Sequence, residues 1–324
     1  MQKMIITGSN GFVGSALANK LKENYKITCL VRHGSNISLL PENIEIKYID
    51  YNNTVAIMRL LREQDVLIHT AALTRAKSWQ QFKKINIDLT EKLIEIYNQT
   101  TSLKQFIFIS SQAAAGPAAD KSTPKLESDE CHPVTMYGRS KLLAENLINE
   151  KAEKPWTIIR PVSVFGPGDK DFLQYFRLIK KHLAMFIGFR KKYYNFIFVD
   201  DLIEMISKTI NNEKAYNETF FARGTDTLSI QQFVHNIESV MKTRALHLHI
   251  PQFLLCPIAV VSEMLTVFSH RPPIVNREKI KEFKQDNWIV SGDKAKKILD
   301  FETSGNMLDK LKTTYQWYKN KGWI

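Results

Sequence analysis

Apolar runs of four to seven residues alternate with stretches of helical periodicity through the first half of the chain. The short runs predict strands over Lys3–Thr7, Lys26–Val31, Ile44–Ile49, Val66–His69, Phe106–Ser110 and Thr157–Arg160. Between them the 3.6-residue period predicts helices over Gly11–Glu23, Thr54–Arg62, Trp79–Asn98 and Met136–Glu153. In the first of these, Phe12, Val13, Ala16, Leu17 and Leu21 form the apolar stripe. Strands that are apolar along their whole length, joined by helical crossovers, call for a parallel sheet covered on both faces. The predicted fold class is therefore α/β, a doubly wound parallel sheet. Ligands of such sheets bind at the C-terminal ends of the strands.

After Pro161 the rhythm changes. Gly166-Pro167-Gly168 breaks the chain, a basic helix follows over Phe172–His182, and Phe196–Val199 reads as a strand. Glu218–Ala222 reads as a strand returning to the sheet. From about Thr227 to Ile324 the pattern is mainly helical, with turns at Pro251, Pro257 and Pro272-Pro273. This predicts a dinucleotide-binding domain over 1–164, rejoined by 193–224. A smaller, mainly helical substrate lobe would be built from 165–192 and 225–324.

Composition narrows the class. In 324 residues, 44% are apolar and 24% charged, which excludes disordered and collagen-like chains. The three cysteines, Cys29, Cys131 and Cys256, are an odd number without C-x-x-C spacing, as expected in a reducing, cytoplasmic compartment. The N-terminus passes from Met-Gln-Lys straight into a strand, which predicts no leader peptide. The most apolar stretch, Phe253–Phe268, contains Pro257 and Glu263 and is too short to span a bilayer. It suits a packed helix, an apolar pocket or a membrane surface. The charge of +12 asks for an anionic partner, and a nucleotide phosphate answers better than nucleic acid, because the excess is spread along the chain.

The first strand ends in Thr7-Gly8-Ser9-Asn10-Gly11-Phe12-Val13-Gly14, and a helix begins at once. Glycines there allow a tight turn and let backbone approach a pyrophosphate, while the helix N-terminus offers free N–H groups to the phosphates. Thr7, Gly8, Asn10, Gly11, Phe12, Val13 and Gly14 are accordingly candidate cofactor contacts. An acidic residue at the end of the second strand would bind the ribose hydroxyls of NAD. Here the end reads Arg32-His33-Gly34-Ser35. The planar fork of Arg32, assisted by His33, suits a 2′-phosphate and favours NADP over NAD.

Tyr137-Gly138-Arg139-Ser140-Lys141 puts a phenol and an ammonium four residues apart on one helix face. A free tyrosine has a pKa near 10, and a neighbouring cation lowers it. Tyr137 can then exchange a proton with a secondary alcohol or ketone while hydride passes to or from a nicotinamide.

With its Gly-x-x-Gly-x-x-Gly loop and downstream Tyr-x-x-x-Lys, the chain resembles the short-chain dehydrogenase/reductase superfamily. The likeness is to its extended branch of nucleotide-sugar epimerases and dehydratases, and it runs along essentially the whole chain. It implies a Rossmann-type sheet, an NAD(P)-dependent oxidoreductase and a small-molecule substrate. It also implies that Ser111, the second serine of Ser110-Ser111, orients the reacting oxygen, with Ser110 as the alternative. Asn86 would support the active site, through a proton-relaying water or simply as a packing amide. Asp50 would lie near the adenine unless it only caps its strand. Ala71 and Ala72 would line the cofactor, and Pro161 and Val164 would pass the nicotinamide. Phe198-Val199-Asp200-Asp201-Leu202 and the closing Trp317–Trp323 segment are markers of the same branch. Members often dimerise through two helices, here Trp79–Asn98 and the Tyr137 helix.

One departure matters. Sugar-nucleotide enzymes of the branch commonly carry Arg-x-x-Asn where this chain has Arg160-Pro161-Val162-Ser163. The Arg-Pro form is closer to the 3β-hydroxysteroid dehydrogenase and dihydroflavonol reductase relatives, which implies a bulky, apolar substrate. A nucleotide-sugar 4-epimerase or dehydratase that retains NAD is the alternative, and a non-catalytic dinucleotide sensor a second one. No metal is expected, because His247 and His249 share a strand face without further ligands. Cys131-His132 lacks any acyl-transfer motif, and Phe172, Tyr175 and Phe176 read as core.

Overall fold

The computed structural model describes residues 1–255, 257 and 277–324. Most of the apolar stretch after Leu255, with Cys256 and the Pro272-Pro273 turn, lies outside the described residues. Strand β1 (Lys3–Thr7) turns into helix α1 (Phe12–Leu21), followed by β2 (Lys26–Val31), β3 (Glu45–Tyr48), α2 (Thr54–Leu61) and β4 (Val66–His69). A long helix then runs as α3 (Trp79–Phe82), a π-helical turn (Lys83–Asp88) and α4 (Leu89–Gln99). Next come β5 (Gln105–Ile109), the short α5 (Gln112–Ala115), α6 (Met136–Lys151), β6 (Trp156–Pro161) and β7 (Ser163–Phe165). The later half holds α7 (Leu173–Lys180), β8 (Leu183–Ile187), β9 (Tyr193–Phe198), α8 (Val199–Thr209), β10 (Glu218–Ala222), β11 (Thr227–Ser229) and α9 (Ile230–Met241). The tail adds β12 (Leu246–Ile250), α10 (Arg277–Phe283), β13 (Asn287–Trp288), α11 (Asp293–Leu299) and α12 (Met307–Asn320).

Seven strands form one parallel sheet in the order β10-β6-β5-β4-β1-β2-β3. The chain starts at β1 and winds outward in both directions, so a crevice opens where β1 and β4 diverge. The apolar strands bury both faces. On one, Leu17, Ala18 and Leu21 of α1 meet Leu202, Ile203 and Ile206 of α8. On the other, Ile57 and Leu61 of α2, Leu93 and Tyr97 of α4 and Ala144 and Ile148 of α6 close the core.

The later segments build a separate core. β9 pairs with β7, β11 and β13 rather than with the large sheet, while β10 pairs with β6. Phe196 of β9 and Phe233 of α9 stack at 4.2 Å between ring centroids, and Phe165 and Phe172 meet Phe233 edge-on. Phe176 and Tyr318 complete this aromatic centre.

Among the described residues the tail is mainly helical, as expected, with the short strands β11, β12 and β13 added to it. One expectation needs correction: the continuous helix over Trp79–Asn98 is interrupted by the π turn at Lys83–Asp88, where Asn86 bonds the loop at Leu73. We predict that Phe233→Ala destabilises the protein by about 3–5 kcal/mol, measured as a lowered urea midpoint; an unchanged midpoint would contradict the role given to this stack.

Candidate active site at the C-terminal edge of the sheet

The loop after β1 is shaped by its contact with the end of β4. Gly8 has φ +67°, and a Cβ there would lie 2.6 Å from the Ala71 backbone. Only glycine permits that approach. Below it, the buried Thr7 hydroxyl meets His69 Nδ1 at 2.6 Å, and Thr70 donates to the Thr7 carbonyl at 2.6 Å. Ala71 N–H reaches Thr7 Oγ1 at 3.4 Å, and Ala72 follows it half-buried.

Helix α1 starts at Gly11, which supplies no side-chain cap, and its first turn (Phe12, Val13, Gly14) has no acidic residue. An uncapped N-terminus over a glycine turn is a cradle for an anion, so these residues fit the pyrophosphate of a dinucleotide. Asn10 ties the loop to the next one by donating to the Asn36 carbonyl at 3.3 Å.

At the end of β2, Arg32 is exposed and His33 stacks on Tyr48 at 5.4 Å. Burial pushes the Tyr51 phenol up to about 12, against the pull of the Gly8 backbone and of Arg32. Asp50 is exposed and accepts from Asn52 N–H and Asn52 Nδ2, both at 2.9 Å, in a turn after β3.

On the other side of the crevice, Ser111 caps the short α5 and lies in hydrogen-bonding reach of the Tyr137 phenol. Tyr137 is half-buried beside Phe82, at 6.4 Å. Against the expected lowering by Lys141, whose ammonium is turned to the Ile109 carbonyl, its phenol is pushed up to about 12, chiefly by burial, with Ser111 favouring and Glu282 disfavouring the phenolate. Ser110 points the other way, its hydroxyl donating to the carboxylate of Glu145. The two serines are thus held by different partners, Ser110 by Glu145 and Ser111 by the N-terminus of α5.

Lys141 is buried one helical turn beyond Tyr137. Its ammonium donates to the Ile109 carbonyl at 2.7 Å and sits 3.8 Å from the centre of the Phe108 ring. Burial draws it down to about 7, and Glu145 opposes that fall. Glu145 in turn receives Arg160 through Nε at 3.1 and 3.2 Å and Nη2 at 2.6 Å. Arg160 also reaches Cys131 Sγ at 3.3 Å. Glu145 went unread in the sequence, although its i+4 spacing from Lys141 was the available signal.

Asn86 is spent on structure. Its side chain accepts from Leu73 N–H at 2.8 Å, donates to Leu73 O at 3.0 Å and donates to Ser140 Oγ at 2.8 Å. It therefore fixes the loop after Ala72 to the residue preceding Lys141. π turns of this kind often occur at functional sites. Pro161 ends β6 buried, and Val164 lies half-buried in β7. Glu278 of α10 accepts the Met136 N–H at 2.6 Å, so the lobe caps the helix that carries Tyr137. The histidines of β12 are engaged, His247 with Glu238 at 2.9 Å and His249 with the Gly188 carbonyl at 2.9 Å. No cluster of three metal-ligating side chains occurs among the described residues.

Residues 4–220 match the family described as "NAD dependent epimerase/dehydratase family". The chain belongs to that family. Its members are enzymes of the extended short-chain dehydrogenase/reductase type, which agrees with the Rossmann-type sheet and the loop after β1. The chain is 26% identical over 267 residues to UDP-glucose 4-epimerase of Vibrio cholerae, covering 77% of this chain and 79% of that one. It is 21% identical over 322 residues to ceramide reductase of Caulobacter vibrioides, covering 98% and 95%. The fold matches UDP-glucose 4-epimerase of Thermotoga maritima with TM-score 0.80 at 18% identity, over 99% of both chains. Among the described residues, no helix of this family member is long and apolar enough to cross a membrane.

His69 provides a pH test of the crevice floor. Burial, with Lys141 behind it, lowers its pKa from 6.5 to about 3. The folded state thus holds the ring neutral where the unfolded chain would protonate it. Its contribution to stability is complete above about pH 6.5 and is lost as pH falls toward 3. Urea titrations across that range should show a shallower acid-side decline for His69→Asn than for the parent. Parallel declines would refute a buried, neutral imidazole.

Proposed function

We propose that this family member interconverts a secondary alcohol and a ketone, with Tyr137 as the acid/base. The observation carrying this reading is the placement of Ser111 at the end of β5, and of Tyr137 and Lys141 on α6 tied to that strand end through the Ile109 carbonyl, at the same sheet edge as the glycine loop. A bound dinucleotide supplies or accepts the hydride. Thr7, Gly8, Asn10 and the first turn of α1 would hold its pyrophosphate, with Ala71, Ala72, Pro161 and Val164 along its nicotinamide half.

Ser111 would donate to the substrate oxygen and aim it at the phenol. A phenol held up to about 12 is protonated throughout the neutral range, so its ready role is as the acid, giving its proton to a carbonyl oxygen. Lys141, when charged, offsets the phenolate left behind, and Glu145 keeps that charge available. Asn86 acts as a positioning residue through Leu73 and Ser140. Residues 1–164 would form the dinucleotide unit, joined by α8 and β10 (199–222) and not by β9, which pairs with β7, β11 and β13, and the remainder would read the substrate.

For the cofactor we infer NADP. Arg32 and His33 stand where a ribose-binding acid would favour NAD, and Asp50 is taken up by its own turn. For the substrate we infer a bulky, apolar ketone or alcohol, supported by Arg160-Pro161 with Ser163 and by likeness to ceramide reductase along nearly the whole chain. The second reading, a nucleotide-sugar 4-epimerase that keeps its NAD, is favoured by the likeness to UDP-glucose 4-epimerase.

Tyr137→Phe should lower turnover by about 10²–10⁴-fold, with dinucleotide affinity nearly unchanged; parent-like turnover would remove the mechanism. Titration with NADPH and NADH, followed by nicotinamide fluorescence, should give tighter NADPH binding. Arg32→Ala should lose about ten- to a hundredfold of it, the worth of one charge-assisted contact. NAD retained through purification, or an NADH preference, would overturn the cofactor inference and bring the epimerase forward.

A further inference from the structure

Six of the eleven exposed large hydrophobic residues among the described residues gather at one place: Met185, Phe189, Leu246, Leu248, Phe253 and Leu254. They belong to the parallel pair β8–β12 and its tip. In register, Leu183 faces Leu246, Met185 faces Leu248 and Ile187 faces Ile250, which makes one side of the ribbon wholly apolar. The other side carries Ala184 and Phe186, buried against the aromatic core. Beyond the strand ends, which are joined by Gly188 N–H to the Ile250 carbonyl at 2.8 Å, Phe189 is 74% and Phe253 76% exposed. An apolar patch of this kind on an otherwise polar surface marks an interaction site.

The charge around it identifies the partner. Residues 178–191 and 242–255 contain six basic side chains, Lys180, Lys181, Arg190, Lys191, Lys242 and Arg244, and no acidic one. All six are exposed, at both ends of the ribbon. We propose that this apolar ribbon and its basic rim dock on an anionic lipid surface, the aromatic tip entering the interface and the cations meeting the headgroups. A second copy of the same face would bring six cations against six. The segment 258–276 carries Glu263 and Arg271 in balance, so it would leave the rim unanswered. Nucleic acid would answer the rim and leave the aromatic tip in water.

The surface is continuous with the candidate active site through α10. Ile280 of that helix packs with Leu255 on Ile187 and Ile250, and Glu278 caps the Tyr137 helix. A docked lipid surface therefore adjoins the element that borders the phenol. The docking inference stands apart from the catalytic one, since it rests on none of the crevice residues.

The test is co-sedimentation of the full chain with vesicles of phosphatidylcholine alone and of phosphatidylcholine mixed with phosphatidylglycerol. Binding to the mixed vesicles, weakened by salt and absent from the neutral ones, is expected. The double variant Arg190→Glu/Lys191→Glu and the double variant Phe189→Ser/Phe253→Ser should each lose about tenfold or more in affinity, with parent-like circular dichroism and thermal midpoint. No binding to mixed vesicles at low salt would overturn the proposal, as would equal binding by the charge-reversed variant. So would light scattering that shows a dimer abolished by Phe189→Ser/Phe253→Ser, or tight binding of an RNA oligomer without vesicle binding.

Discussion

The site depends on one buried ionic cluster behind the sheet edge. Arg160 at the end of β6 clasps Glu145 of α6, and Glu145 also holds Ser110 at the end of β5. Both charged side chains are almost fully enclosed, so either one alone would be an uncompensated buried charge. Removing one partner of such a pair typically costs about 3–5 kcal/mol. The cluster locks α6 to two strands at once. That fixes where Tyr137 and Lys141 stand relative to Ser111, and it places a carboxylate where it sustains the charge of a dry ammonium.

A second constraint meets it across the crevice. Gly8 closes on Ala71, Thr7 of β1 meets His69 and accepts from Thr70 at the end of β4, and Asn86 fastens the ensuing loop to Ser140. The two sides of the crevice, the glycine loop and the helix that bears Tyr137, are therefore joined through buried side chains of β1, β4 and the Asn86 turn. Asn86 makes these bonds from within the π turn that interrupts an otherwise regular helix.

Much of this was legible in the sequence, for identifiable reasons. β1, β2, β4 and β10 have the bounds their apolar runs suggest, because strands covered on both faces need unbroken apolar sequence. Tyr137 and Lys141 could be paired because i+4 geometry within one helix is a local property. Ser111, by contrast, has no local signature that sets it apart from Ser110. What separates them is the direction each side chain takes at the strand end. The Glu145–Arg160 clasp joins residues 15 apart in different elements, and the Asn86–Ser140 bond spans 54. Such contacts depend on packing order, which no window of sequence contains. The short strands of the tail escaped for the opposite reason, having too few residues to express a period.

The cap that Glu278 places on Met136 reaches across 142 residues. During synthesis the chain emerges from its N-terminus, so the sheet, the glycine loop and the helix bearing Tyr137 are all made well before that carboxylate exists. Until α10 arrives, the first N–H of α6 lacks its intramolecular acceptor. β9 likewise waits for Trp288 before its last neighbour is in place. Completion of the candidate site is thus coupled to completion of the C-terminal third, and a nascent chain halted before residue 278 carries Tyr137 and Lys141 without the charge that steadies their helix.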